Sequence, residues 1–219
     1  MSDAVNAATT LTLAQRELLE RLEHFALAPT LVVELGSTLA SHPDGLRQKF
    51  RRARIVAVTE PGQGRAVAAR DAAFSLRSLL AKIVGSRPLV EQVEAPFGSL
   101  PFADASVDVV VADRLLTDSH RLDALLTEIR RILRPGALFL WNTLEPGNPA
   151  DQAHAGMHHI DMHDIGSALG RTGFTEPVLD VDRLGDIAVI QVAAFAGAQA
   201  SSEIFVAADS IGRRDRTRS

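Results

Sequence analysis

The sequence predicts an α/β protein built on a Rossmann-like sheet of seven strands, mainly parallel and ending in an antiparallel hairpin. Three observations carry this expectation. Short, β-branched apolar runs alternate with amphipathic helical stretches along most of the chain. Several of the runs are apolar at consecutive positions, as a parallel strand covered by helices on both faces must be. The last two runs are joined by Leu184-Gly185-Asp186, a connection short enough for a hairpin.

Taken in order, Leu11, Leu18, Leu22 and Phe25 recur at helical spacing between charged residues, so an amphipathic helix is expected from Leu11 to Ala28, ended by Pro29. Thr30 to Leu35 is an almost continuous apolar run closed by Gly36 and reads as a central strand. A polar stretch through Phe50 can hold a helix, and Ile55 to Val58 is the second strand. An Ala-, Leu- and Arg-rich helical region runs from about Gln63 to Val84, then strands at Leu89 to Glu94 and Val107 to Ala112. Leu122, Leu125, Leu126, Ile129, Ile132 and Leu133 repeat in steps of three and four and predict a helix from His120 to Leu133. Arg134-Pro135-Gly136 stops that helix, and Ala137 to Thr143, with Trp141 in the core, is the fifth strand. Glu145 to Ala155 reads as a loop, Asp161 caps a helix running to about Thr172, and Gly173 ends it. Val178 to Val181 and Ala188 to Phe195 complete the set.

At 219 residues the chain fits a single domain, expected over residues 11–197. Residues 1–10 are read as a flexible N-terminus and 198–219 as an extension with a basic, frayed tail carrying Arg213, Arg214, Arg216 and Arg218. The net charge of -4 offers no global basic field for nucleic acid. With no Cys, thiolate zinc sites and cysteine nucleophiles are excluded. No apolar run approaches the ~20 residues of a membrane helix and no basic region opens a signal peptide, so a cytoplasmic protein is expected. Neither a Gly-x-Ser-x-Gly elbow nor a phosphate-binding Gly-Lys-Ser/Thr loop appears, which argues against a serine hydrolase or a nucleoside triphosphatase.

In an open parallel sheet ligands collect beyond the carboxyl ends of the strands, which directs attention to the residues just after Leu35, Val58, Glu94, Ala112 and Thr143. After the first strand, Glu34-Leu35-Gly36-Ser37-Thr38 is a Gly-containing turn where a nucleotide-like cofactor could approach backbone. After the second, Glu60 can accept hydrogen bonds from a ribose diol. A plain strand-ending turn would show the same residues.

Leu100-Pro101-Phe102-Ala103-Asp104-Ala105-Ser106-Val107-Asp108, followed by Glu128-Ile129-Arg130-Arg131-Ile132-Leu133-Arg134-Pro135-Gly136, resembles the middle of class I S-adenosylmethionine-dependent methyltransferases. Ile160 to Leu169, Gly173-Phe174 and Pro177 to Val181 resemble, more narrowly, the malonyl-acyl-carrier-protein O-methyltransferases of biotin synthesis. The likeness spans roughly Leu31 to Leu184. It implies the seven-stranded methyltransferase sheet, S-adenosylmethionine as cofactor, and methyl transfer to a carboxylate oxygen of a small or acyl-carrier-bound acceptor; from charge and hydropathy no nucleic acid or membrane partner is expected, and oligomerisation is left open. It further implies that Glu34, Gly36 and Thr38 shape the methionine side, that Glu60 holds the ribose, that Glu94 to Phe97 border the adenine, and that Asp113 lines the centre.

Departures from the pattern keep a second reading open. The family carries an acidic residue and then Gly-x-Gly-x-Gly, where this chain has Glu34, Gly36, Thr38 and Ala40, so one glycine of three remains. The acid that ends the family's second strand aligns with Thr59 or, after a shift, Glu60; the acid beside adenine falls at Pro96, with Glu94 nearest. The segment from Trp141 to Ile160 is short for the family. These features fit a non-catalytic, methyltransferase-like binding or regulatory subunit as the alternative. No catalytic residue is transferable from the family; His163 and Asp113 are candidates for the site edge. His154, His158, His159 and His163, with Asp151, Asp161 and Asp164, read as a loop-and-cap cluster rather than a metal site. Asp104 and Asp108 read as turn and strand-start residues, and Arg130, Arg131 and Arg134 as a solvated face or a surface for an acidic carrier.

Overall fold

The structure, a computed structural model, describes residues 13–36, 45–61, 90–113, 119–145, 160–184 and 187–197. Its strands are β1 (Leu31–Leu35), β2 (Arg54–Thr59), β3 (Glu91–Glu94), β4 (Val107–Ala112), β5 (Leu133–Leu144), β6 (Phe174–Leu184) and β7 (Ile187–Ala196). They form one sheet in the order β3-β2-β1-β4-β5-β7-β6. The pairs from β3 through β5 are parallel, while β7 runs antiparallel to both β5 and β6, which confirms the expected terminal hairpin. Leu184 pairs with Ile187 across its turn. Four of the five residues of β1 are buried, and the strand lies between β2 and β4.

Helix α1 (residues 13–21) covers one face of the sheet and continues as a 3-10 turn, Leu22–His24. Leu18 and Leu22 are fully buried there against Val32, Ile55, Val109, Val111 and Leu140. A short helix, α2 (Leu46–Lys49), adds Leu46 to the same cluster. On the other face, α3 (Ser119–Ile132) sets Leu122, Leu126, Ile129 and Ile132 against Val33, Val110 and Phe139. Helix α4 (Met162–Arg171) joins it through Ile165, Ala168 and Leu169. Asp161 caps α4 as expected, its carboxylate accepting from the Asp164 N–H at 2.8 Å. Phe139 and Trp141 stack with centroids 4.4 Å apart at the centre of this layer.

Several boundaries differ from the sequence expectation, each for a tertiary reason. The first helix ends well short of Ala28: Phe25 is extended and packs edge-on against Phe195, turning the chain toward β1 before Pro29 is reached. Helix α3 stops at Ile132, and Leu133 already pairs with Val107, so Arg134-Pro135-Gly136 is an irregularity within a longer β5 rather than a separate turn. Gly136 takes φ +78° there. Strand β6 begins at Phe174 and holds a register shift between Thr175 and Val178. The bulge carries Glu176 at φ +50° followed by Pro177, a combination that blunts an edge strand. The predicted helix from Gln63 to Val84 lies outside the described residues.

The two sequence stretches that carry the family resemblance are halves of one clamp. The Arg131 guanidinium donates to Glu128 (2.7 and 2.8 Å), to Asp104 (2.5 Å) and to the carbonyls of Phe102 and Leu100 (2.9 and 3.1 Å). Glu128 in turn accepts the Leu100 N–H at 2.6 Å. The backbone closes the same contact, Ala105 and Ser106 donating to the carbonyls of Arg131 and Ile132. Asp108 anchors the entry to β1 by accepting from the Thr30 N–H and hydroxyl and from the Leu31 N–H, and it pairs with Arg134.

These networks predict acid lability. Burial pushes the Asp108 carboxyl up, but the Thr30 and Leu31 hydrogen bonds and the Arg134 charge outweigh it and hold the group below its ordinary 3.8. The Arg131 hydrogen bond holds Glu128 below 4.5 against an opposing push from burial. Groups depressed in the folded state stabilise it fully above their unfolded values, and the stabilisation is lost as pH falls through the folded ones. Urea midpoints are therefore expected to be flat above about pH 5 and to drop steeply below about pH 4. Asp108→Asn should make that drop shallower; an unchanged slope would remove Asp108 as a contributor.

Candidate functional site

The chain leaves β1 for β2 and β3 on one side and returns to β4 and β5 on the other, so the strand order reverses between β1 and β4. Such a switch point opens a crevice beyond the carboxyl ends of the two strands. Gly36 comes directly after β1 there, its N–H donating to the Val58 carbonyl at 2.8 Å. Its φ of +112° is open to glycine and strained for any side chain, and among the described residues no atom lies within 4 Å of where a Cβ would stand. Glu34, two residues earlier, is fully buried, in register with Ala57 and Val111. Asp113 comes directly after β4 and is 5% exposed.

Glu60 leaves β2 beside this crevice, and its Oε1 accepts the Phe97 N–H at 2.9 Å. With the Ala95 N–H donating to the Thr59 carbonyl at 3.0 Å, this ties the exit of β3 to the exit of β2. Phe97 packs its half-buried ring on the α3 side of the core. The structure therefore gathers Gly36, Glu60, Phe97 and Asp113 along one edge of the sheet, with Glu34 beneath. Glu94 stands apart from this contact: it pairs with Thr59 on the edge strand with its side chain exposed. His163 is exposed in the first turn of α4. Thr38, His154, His158 and His159 lie outside the described residues.

One residue at this edge was not anticipated. Gln15 on α1 donates from Nε2 to Asp113 Oδ2 at 2.9 Å, across 98 positions of sequence. Its signal was present in the periodicity: residue 15 falls between Leu11 and Leu18 on the apolar stripe, so a polar side chain there interrupts the face that docks.

Arg130 and Arg131 on α3 and Arg134 at the start of β5 do not form a free basic face. Arg130 is buried and donates to the carbonyls of Gly173 and Gly197, Arg131 is spent in the clamp, and Arg134 is paired with Asp108. Helical position alone suggested solvent; the acceptors come from elements far along the chain. A groove lined by Leu27, Pro29, Asp108, Val109, Arg134 and Pro135 lies at the opposite, amino-terminal end of the strands, and its two charged groups bond each other.

A family described as a methyltransferase domain matches residues 52–141. Malonyl-[acyl-carrier protein] O-methyltransferase 1 of Coxiella burnetii is 33% identical over 175 residues, covering 76% of this chain and 55% of that protein. The Methylovorus sp. malonyl-[acyl-carrier protein] O-methyltransferase is 32% identical over 192 residues, covering 78% and 60%. The chain thus spans less than two thirds of the length of these curated relatives. Among solved structures, the [4+2]-cyclase SpnF aligns with TM-score 0.62 at 17% identity over 84% of this chain and 81% of its own. Geranyl diphosphate methyltransferase in complex with SAM aligns with TM-score 0.59 at 15% identity over 83% and 84%. Identities this low show the fold alone, and a cyclase among the neighbours shows that this fold hosts more than one chemistry.

Proposed function

Because the chain belongs to the class I S-adenosylmethionine-dependent methyltransferases, with relatives in the malonyl-[acyl-carrier protein] O-methyltransferase family, we propose that it transfers a methyl group to a carboxylate oxygen of a carrier-bound acceptor. The observation that carries the reading is Gly36. It combines a backbone angle that only glycine takes easily with a Cβ position that no described residue approaches within 4 Å, at the switch point of the sheet. That cradle, an acid below it in Glu34 and an acid beside it in Glu60 suit an adenosyl cofactor with a cationic amino-acid end and a ribose diol.

When bound, S-adenosylmethionine supplies an electrophilic methyl group on a sulfonium. The chain's residues have the tasks of binding and orientation. Glu34, Gly36 and Thr38 shape the methionine side, Glu60 holds the ribose, and the segment from Glu94 through Phe97 borders the adenine. Glu60 uses Oε1 on Phe97, which fixes the carboxylate's direction and leaves Oε2 outside that hydrogen bond. Asp113 lines the centre and His163 the outer edge. A carboxylate acceptor is already ionised near neutral pH and needs no general base, so positioning and exclusion of water provide the acceleration.

Because the relatives are named as methyltransferases, the enzyme is favoured over a non-catalytic subunit. The test is calorimetric titration of S-adenosylmethionine into the full chain, repeated with Glu60→Ala. Wild type is expected to bind, and the variant to bind about tenfold or more weakly, the loss of hydrogen bonds to a charged group. No binding by wild type would replace the enzyme with the non-catalytic reading. Equal affinities would remove Glu60 from the site.

A further inference from the structure

The contact between Gln15 and Asp113 joins the first helix to the last residue of the switch-point crevice. We infer that Gln15 is a positioning residue for cofactor binding, holding the Asp113 carboxylate in the direction the site requires; this rests on the proposed cofactor site at the switch point. The donor is a neutral amide, which fixes a carboxylate's orientation without cancelling its charge. The helix that presents it is fastened on both sides of the contact. Ala14 is 1% exposed against Leu144 and Val189, and its carbonyl accepts from Asn142 Nδ2 at 3.4 Å. Leu18 and Leu22 are fully buried, and Arg21 donates to Asp180 and Asp182 on β6 at 2.9 and 3.0 Å. Gln15 is therefore held in place by contacts on both sides of it, while its own side chain reaches Asp113. An aliphatic residue would serve the helix as well in packing terms, so the amide is explained by the carboxylate it meets.

The experiment is calorimetric titration of S-adenosylhomocysteine into wild type, Gln15→Ala, Gln15→Glu, Asp113→Asn and the double variant Gln15→Ala/Asp113→Asn, with melting temperatures measured in parallel. Gln15→Ala is expected to weaken binding about tenfold, and to change affinity less than about twofold when Asp113 is already Asn. Gln15→Glu keeps shape and helix propensity but removes the donor and adds a like charge, so it should bind at least as weakly as Gln15→Ala. Its deficit should narrow as pH falls and the Glu-Asp pair retains a proton, a response that helix packing alone would not produce. If wild type binds and Gln15→Glu binds equally well across pH, or if the Gln15 and Asp113 effects simply add, this inference fails while the site reading stands. If wild type does not bind, the site reading fails and takes the inference with it.

Discussion

Gly36→Val is expected to abolish measurable S-adenosylhomocysteine binding while leaving a folded protein. The sequence carries a single glycine between Leu35 and Asp44, Gly36, and that residue adopts φ +112°. A β-branched side chain there costs about 1 to 3 kcal/mol of backbone strain, which the β1 core can absorb, because Val32, Val33 and Leu35 are at most 1% exposed. Binding has no such reserve. The new side chain would stand where no described residue comes within 4 Å, beside the strand end, so a methionine moiety passing close to backbone would be excluded. A loss of at least about 100-fold is expected in titration, with Gly36→Ala intermediate. The reverse substitutions, Thr38→Gly with Ala40→Gly, restore the family's glycine spacing and should tighten binding. Wild-type affinity in Gly36→Val would show that the ligand does not pass this turn.

How much of this was legible in the sequence depends on whether the determining partner is near in the chain. Strand β4 matched its expected limits because Val107 to Ala112 is recognisable from its own β-branched composition. The start of β5 did not, because only the pairing of Leu133 with Val107 makes the residues around Pro135 part of a strand. Gly36 and Glu60 could be placed at strand ends from local pattern alone, and both stand there. That Glu60 meets the Phe97 N–H, 37 positions away, depends on β2 and β3 lying side by side, which no local signal specifies. The same holds for Gln15: its position on an apolar stripe was visible, but the carboxylate it serves is supplied by the end of β4. Arg130 is the clearest case of misleading periodicity. It lies on a helix rich in charge, yet the Gly173 and Gly197 carbonyls give it a reason to be buried.

Arg131→Met should produce the largest loss of stability among single surface-layer substitutions, about 3 kcal/mol in urea denaturation. The size of the loss comes from the groups the guanidinium leaves behind. Methionine keeps much of the stem's packing but removes hydrogen bonds to Glu128, Asp104 and the Leu100 and Phe102 carbonyls. Asp104 is 72% exposed and can return to water at little cost, so its share is small. Glu128 is only 13% exposed and would keep a charge facing the Leu100 N–H without its counter-ion, which is where most of the penalty arises. For a chain of this size the expected fall in melting temperature is about 6 to 12 °C. A second substitution separates the causes. Glu128→Gln in the Arg131→Met background removes the stranded charge and should recover part of the loss, whereas in wild type it should destabilise. If the two substitutions add without coupling, the Leu-Pro-Phe segment and the Glu-Ile-Arg-Arg helix are not joined by this ion pair. With coupling present, the two segments form a structural clamp: it seats the loop after β3 against α3, and that same loop carries Phe97, whose N–H meets Glu60.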